Sequence, residues 1–163
     1  MPDSPHESHI RSSIVAGSVY YYHENTISSP LWHYFIVINI DPVNDRVLLL
    51  VSSTTKINKI KQLRLKQQNC HPKTLVEISP DQYSGFTEHS LIDCNQVFPR
   101  TISELANMLA KRKLQQKPIM HLQLVKQLRE GVKTSRLVAE EDKMLLDDCP
   151  VVRLVQAILY QGH

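Results

Sequence analysis

Two features in the first third of the chain could take part in acid–base chemistry. His33 lies in the stretch LWHYFIVI, and because an imidazole titrates near neutral pH it could act as an acid or a base. Four hydroxyl residues, Ser52 to Thr55, follow an apolar run and could donate hydrogen bonds to a charged group. Each feature also has a structural interpretation: a histidine packed beside Trp32 and Tyr34 where a strand begins, and hydroxyl groups that bond the local backbone in a turn.

A basic segment follows the hydroxyl cluster directly. Residues 56–73 hold six lysines and arginines and no acidic residue. The formal net charge of the chain, +3, is too small to indicate nucleic-acid binding, so the clustering is the informative feature. Such a segment is either a solvated loop or a track for a phosphate backbone, and its position after the hydroxyl cluster favours the second. The predicted phosphate contacts are Lys56, Lys59, Lys61, Arg64 and Lys66.

The segment from Ile14 to Phe98 predicts the strands that would position these residues. Its apolar stretches are rich in β-branched and aromatic residues, which suit a half-buried pleated surface, and turn-forming residues separate them. The stretches are IVAGSVYYYHE, WHYFIVINI, RVLLLVSSTT, TLVEIS and SLIDCNQVF. The near-continuous apolar run of the third stretch indicates burial on both faces. Five short strands with such turns favour a small antiparallel β-barrel, because closure removes exposed edges.

The last third of the chain predicts helices. Thr101 and Glu104 have the spacing of a capping box, and apolar residues then recur at helical intervals into the stretch KRKLQQK, with a stop before Pro118. Further helices are predicted from about residue 119 to 129, in parts of SRLVAEEDKMLLDD, and from residue 150 to 162. We therefore expect a flexible arm at residues 1–13, a barrel domain at 14–105 and a helical extension at 106–163.

Composition excludes several classes of protein. With 42% hydrophobic and 21% charged residues the chain is of ordinary globular composition, and no apolar run approaches the ~20 residues of a membrane span. The opening stretch, MPDSPHESHIRSS, lacks the apolar region of a secretory signal, so we expect a cytoplasmic protein without membrane contact. Three dispersed cysteines without a CxxC pair predict neither a disulfide framework nor a metal site, and no cofactor is expected.

The order of motifs across the predicted strands resembles MazF/PemK-like toxins. A hydrophobic-Glu-hydrophobic strand leads through a loop to a Ser-hydrophobic-hydrophobic strand, then to a cysteine with a following Gln, and then to Arg-Thr and a helix. These motifs are Val76, Glu77 and Ile78; Ser90, Leu91 and Ile92; Cys94 and Gln96; Arg100 and Thr101. Upstream, Gly17 before VYYY resembles the opening strand of the family, and VLLLVSSTT resembles its apolar strand with a Ser/Thr end. The resemblance covers residues 17–105.

The resemblance implies an SH3-like antiparallel barrel, here followed by helices, that forms a homodimer, cleaves single-stranded RNA without a metal and is neutralised by an antitoxin protein. His33 stands where the family has an arginine, and Ser53 lies where it has a catalytic hydroxyl residue. Because a neutral imidazole does not replace a guanidinium charge, Arg100 is the candidate for the missing cation, whereas Asp93 would repel a phosphate. The predicted catalytic residues are therefore His33, Ser53 and Arg100.

Three functions remain open on the sequence alone. The first is a metal-independent endoribonuclease of the MazF/PemK-like class. The second is a catalytically inactive barrel that binds nucleic acid or a protein partner, with its helical extension forming a regulatory or dimer surface. The third, by fold analogy, is a barrel that poisons a protein target. Cleavage of single-stranded RNA in EDTA distinguishes the first, and salt-sensitive RNA binding without cleavage distinguishes the second.

Overall fold

The computed structural model describes residues 2–66, 70–148, 151, 154, 155, 158 and 159. Within residues 2–66 and 70–148 the protein has a mixed α/β fold, with one antiparallel sheet of seven strands and five α-helices. Most of the helix predicted at residues 150–162 lies outside the described residues. None of the helices in this described part is long and apolar enough to cross a membrane.

The sheet is built around its longest strand. The strands are β1 (Val19–Tyr22), β2 (His33–Val37), β3 (Leu48–Thr54), β4 (Leu75–Ile78), β5 (Ser90–Asp93), β6 (Phe98–Arg100) and β7 (Leu114–Lys117). Their hydrogen-bonded order is β4-β5-β3-β2-β1-β7. On the side away from β2, the last residues of β3 pair with β5 and its first residues pair with β6. All neighbouring strands are antiparallel, as the sequence predicts.

The sheet is not closed, so the predicted barrel is wrong. In the described residues β4 and β7 end the sheet, each paired on one side. The core is instead enclosed by helices on both faces of the open sheet. The helices are α1 (Pro5–Ser13), α2 (Ile57–Leu65), α3 (Ile102–Ala110), α4 (Leu122–Thr134) and α5 (Glu140–Lys143). The apolar residues of α1 and α3 pack on one face, and those of α4 pack on the other.

Alternation along the strands divides the core in two. Tyr20, Tyr22 and Phe35 point towards α1 and α3, in a cluster that we call the α1/α3 face. Val19 and Ile36 point to the opposite side, which we call the α4 face. The apolar run at the start of β3 is fully buried and contributes to both clusters, which confirms the sequence prediction for it.

Helix α1 replaces the predicted flexible arm. Ser4 caps the helix by accepting from the backbone N–H of Glu7, and the Glu7 carboxylate accepts from the backbone N–H of Ser4. Ile10 of this helix is completely buried on the α1/α3 face. The Ser-x-x-Glu spacing was the available sequence signal, and the mixed polar composition of residues 1–13 concealed it.

Strand β7 lies where the sequence predicts a continuing helix. Helix α3 begins at the predicted capping box of Thr101 and Glu104 but ends at Ala110, and Arg112 adopts a left-handed conformation with φ of 56°. The chain then reverses and β7 pairs with β1 over four residues. The predicted boundary between residues 105 and 106 therefore falls inside α3, and residues 114–117 belong to the sheet rather than to a helical extension.

Helix α4 extends to Thr134, five residues beyond the end that the sequence predicts at about residue 129. Gly131 is a buried residue of α4. A side chain does not fit there, because a Cβ would lie 2.8 Å from Cys94 Sγ and 2.8 Å from the backbone oxygen of Lys73. On the same helix the Arg129 guanidinium donates to the backbone oxygens of Ile38 at 2.6 Å and Asn39 at 3.0 Å. Close approach at Gly131 and these bonds fix α4 on the sheet.

Gly131→Ala tests this close approach. Alanine favours a helix over glycine by about 1 kcal/mol, but the added methyl group must displace a backbone carbonyl. We expect a net loss of about 1–3 kcal/mol in the free energy of unfolding, measured by urea denaturation. Lys126→Ala, at an exposed position of the same helix, is the control and should stay within about 0.5 kcal/mol of wild type. A more stable Gly131→Ala protein would contradict the packing of α4.

Candidate functional site

A groove of about 380 Å³ opens where β1, β2 and β3 meet helix α2. One side is formed by the ends of these strands, and the other by the start of α2 and the loop of residues 86–88. The lining includes the predicted His33, Ser53, Lys56 and Lys59. The groove therefore brings together His33, three residues of the hydroxyl cluster and the first part of the basic segment.

Aromatic rings form one wall of the groove. Tyr21 of β1 lies opposite Tyr34 of β2, with 4.7 Å between ring centroids, and 5.5 Å separates the Tyr21 and Trp32 centroids. Phe86 packs edge-on against Tyr34 at 5.2 Å. Tyr21, Trp32 and Tyr34 are only half-buried, so they offer ring surface to a ligand. Such surfaces stack on flat apolar groups, including nucleobases.

Two exposed lysines stand on the α2 side of the groove. Lys56 precedes the helix and Lys59 lies in its first turn, and both line the groove. Glu88, in the loop opposite, is the only carboxylate among the lining residues. The pair of ammonium groups suits an anion such as a phosphate, and the carboxylate can accept hydrogen bonds from amino groups on a base edge.

Lys61 and Arg64, which were predicted as phosphate contacts, instead hold α2 on the sheet. Lys61 forms an ion pair with Glu77 of β4. Arg64 Nε donates to Asp93 Oδ2 at 2.9 Å, and a second guanidinium nitrogen contacts the same oxygen. The Arg64 and Asp93 side chains are only 11% and 14% exposed. The Arg64 guanidinium therefore compensates the negative charge of Asp93 and offsets the repulsion that Asp93 was expected to exert on a phosphate.

Lys66, the fifth predicted phosphate contact, is separate from the groove. It is the exposed residue after the last turn of α2, and it is not among the groove-lining residues. The structure thus divides the five predicted phosphate contacts into two groove lysines, two residues paired with strands β4 and β5, and one exposed lysine. Helix α2, rather than a loop, makes this division.

His33 and Ser53 lie in the same groove, but their side chains point to opposite faces of the sheet. His33 pairs with Tyr22, so strand alternation directs its ring to the α1/α3 face. Ser53 is separated from Val51 by one residue and shares the α4 face with it. The Ser53 hydroxyl group is therefore not the neighbour of the imidazole; the Ser53 backbone carbonyl is.

The environment of His33 keeps its ring neutral. Burial lowers its pKa below the ordinary value, the positive charges of His23 and Lys56 act in the same direction, and the Ser53 carbonyl opposes them. The Nε2 atom is buried and has no hydrogen-bond partner among the described residues. A neutral imidazole with a free ring nitrogen can act as a base or bind a ligand donor.

Arg100 is held outside the groove. Its guanidinium forms an ion pair with Glu24, whose side chain is 4% exposed, and it donates to the Pro99 backbone oxygen at 2.8 Å. Burial alone would raise the pKa of Glu24, but hydrogen bonds from Thr26 and the Arg100 charge hold it below its ordinary value. Arg100 thus compensates a buried carboxylate, and its side chain is not part of the groove lining.

Two residues of this site had no signal in the sequence. Phe86 and Glu88 belong to a loop that was expected only to connect strands, and they reach the groove because β5 pairs with the end of β3.

A metal site is not assembled in the described part of the chain, where no three His, Cys, Asp or Glu side chains come close enough to hold an ion.

The neutral state of His33 predicts a pH-dependent stability. Because the folded protein disfavours the imidazolium, the unfolded chain binds more protons below about pH 6.5, and the free energy of unfolding falls there. His33→Gln removes this titration. Between about pH 7.5 and 5.5 it should lose less stability than wild type in urea denaturation. Parallel losses in the two proteins would show that His33 titrates as it does in the unfolded chain.

Comparisons with known proteins leave the chain without an assigned family. No family model matches it, and no curated protein matches it significantly. The resemblance to MazF/PemK-like toxins therefore remains a prediction from the order of motifs in residues 17–105, and the function must be argued from the groove itself.

Proposed function

We propose that the protein binds single-stranded RNA in the groove between the strand ends and helix α2. The observation that carries the proposal is the pairing of an aromatic wall, Tyr21, Trp32 and Tyr34, with the exposed ammonium groups of Lys56 and Lys59. Aromatic rings stack on bases of any sequence while neighbouring cations contact the phosphates, which is the usual design of single-strand binding sites.

The shape of the groove supports a single strand rather than a duplex. The aromatic rings are half-buried between β1, β2 and the 86–88 loop, and stacking on them requires a base whose face is free. Bases in a duplex stack on one another, whereas unpaired bases can be turned outward. The hydroxyl groups of Thr54 and Thr55, which line the same groove, are suited to hydrogen bonds with phosphates and ribose hydroxyl groups.

A divergent relation to MazF/PemK-like toxins is part of the proposal. The order of motifs supports it, and a homodimer, an antitoxin partner and a cytoplasmic location follow from it. The open sheet and the pairing of Arg100 with Glu24 are departures from what the resemblance implies. RNA binding stands without this relation, since it rests on the groove.

Replacing both groove lysines should weaken RNA binding and reduce its salt dependence. Each phosphate contact contributes about 0.7 to the slope of log K against log salt for a single strand. Lys56→Gln/Lys59→Gln should therefore lower the slope by about 1.4, measured by fluorescence anisotropy with labelled hexa-uridylate.

Lys66→Gln is the matched control, because Lys66 belongs to the same basic segment but lies outside the groove. It should leave the slope close to that of wild type. Equal losses in the control and the double variant would mean that the segment attracts RNA without a defined groove. Tight association with a protein and no affinity for RNA would favour the protein-binding alternative.

RNA cleavage is a second candidate function, because His33 lines the groove and its Nε2 atom has no hydrogen-bond partner among the described residues. The atom is buried, so cleavage requires a rotation of the ring that exposes Nε2 to the RNA. A neutral imidazole at the groove could take the proton of a 2′-hydroxyl group, whose oxygen then attacks the adjacent phosphorus and expels the 5′-oxygen. Lys56 and Lys59, rather than Arg100, are the cations within the groove. The departing 5′-oxygen would take a proton from water or from a second acid.

Incubation of single-stranded RNA with the protein in EDTA tests this candidate. It predicts products that end in a 2′,3′-cyclic phosphate, and a loss of at least about 100-fold in rate for His33→Gln with RNA affinity unchanged. Ser53→Ala should retain cleavage, since its hydroxyl group points to the other face of the sheet from the imidazole. Intact RNA after incubation with wild type would exclude cleavage and leave binding as the function.

A further inference from the structure

Strand β7 extends the aromatic wall beyond the groove. Gln115 pairs with Tyr21, which in turn pairs with Tyr34, so the three side chains lie in one row across the α4 face of the sheet. Lys117 is two residues further along β7 and shares this face. Gln115 is exposed, and Lys117 is half-buried. Neither residue is part of the groove lining.

Lys117 is placed to contact an anion at the end of this row. Its Nζ lies 5.1 Å from the centroid of the Tyr21 ring, in a cation–π contact. Among the described residues it forms no ion pair with a carboxylate, in contrast to Lys61 and Arg64 on α2. Its charge is therefore directed towards the aromatic wall and is not compensated there.

We propose that Lys117 forms a second phosphate subsite, so that the ligand is an oligonucleotide that crosses the sheet from β3 to β7. This inference rests on the proposed function of the groove. Cations then stand on both sides of the aromatic rings: Lys56 and Lys59 beside β3, and Lys117 on β7. Three intervals between neighbouring strands separate β3 from β7, a distance of about 14 Å.

This arrangement of cations favours a longer RNA strand over a mononucleotide. A mononucleotide can place its phosphate at one end of the aromatic wall only, whereas a longer strand can stack bases on Tyr21 and Trp32 and place phosphates at both ends.

Comparison of a short and a long ligand tests the proposal. The probes are labelled di-uridylate and hexa-uridylate, and the variant is Lys117→Met, which keeps an apolar chain over Tyr21 but removes the charge. For hexa-uridylate the slope of log K against log salt should fall by about 0.7, the contribution of one phosphate contact. For di-uridylate, which occupies the groove alone, the slope should not change.

Lys111→Met is the matched control, because Lys111 is an exposed lysine at the end of α3, a helix that covers the opposite face. It should leave both slopes unchanged, and Lys117→Arg should restore the wild-type slope. Equal effects of Lys117→Met and Lys111→Met, or equal effects of Lys117→Met on the two ligands, would overturn the subsite. If wild type bound neither ligand, the groove itself would fail as an RNA site.

Discussion

Two ion pairs join helix α2 to the sheet, and the position of this helix sets one side of the groove. None of the nine residues of α2 is buried, so apolar packing contributes little to its position. Arg64 is held by Asp93 of β5 and Lys61 by Glu77 of β4, and these contacts place Lys59 at the groove. The Arg64 pair is largely shielded from water, and loss of one partner would leave the other charge uncompensated. Two of the six basic residues of the segment thus position the helix that carries Lys59.

The two faces of the sheet have different roles because their coverage differs. Helices α1 and α3 seal one face, where Tyr20, Tyr22 and Phe35 are almost completely buried. Helix α4 covers the other face only in part. Beyond its edge the rings of Tyr21 and Trp32 stay half-exposed, and they become the wall of the groove. A binding surface of this kind follows from a three-layer fold whose second helical layer is incomplete.

Local patterns predicted much of this fold, and tertiary pairings account for the rest. Alternation and β-branched residues predicted the first three strands and the two-sided burial of β3, and the capping box located the start of α3. The residues of β7 have no strand signal of their own; they become a strand because β1 offers an unpaired edge. Similarly, Arg100 forms an ion pair with Glu24, which is 76 positions away in the sequence, and no local pattern predicts this pair. His33, Ser53 and the groove lysines were predicted as site residues from the sequence. That the His33 and Ser53 side chains point in opposite directions could be known only from the register of the strands.

Ligand binding in the groove can be followed through Trp32, because it is the only tryptophan in the chain and it lines the groove. Its fluorescence therefore reports on this site alone. Titration with hexa-uridylate should quench the emission to a plateau, and added salt should shift the midpoint to higher RNA concentration. An emission spectrum that stays constant while RNA binds the protein, or an absence of binding at low salt, would contradict the assignment of the groove as an RNA site.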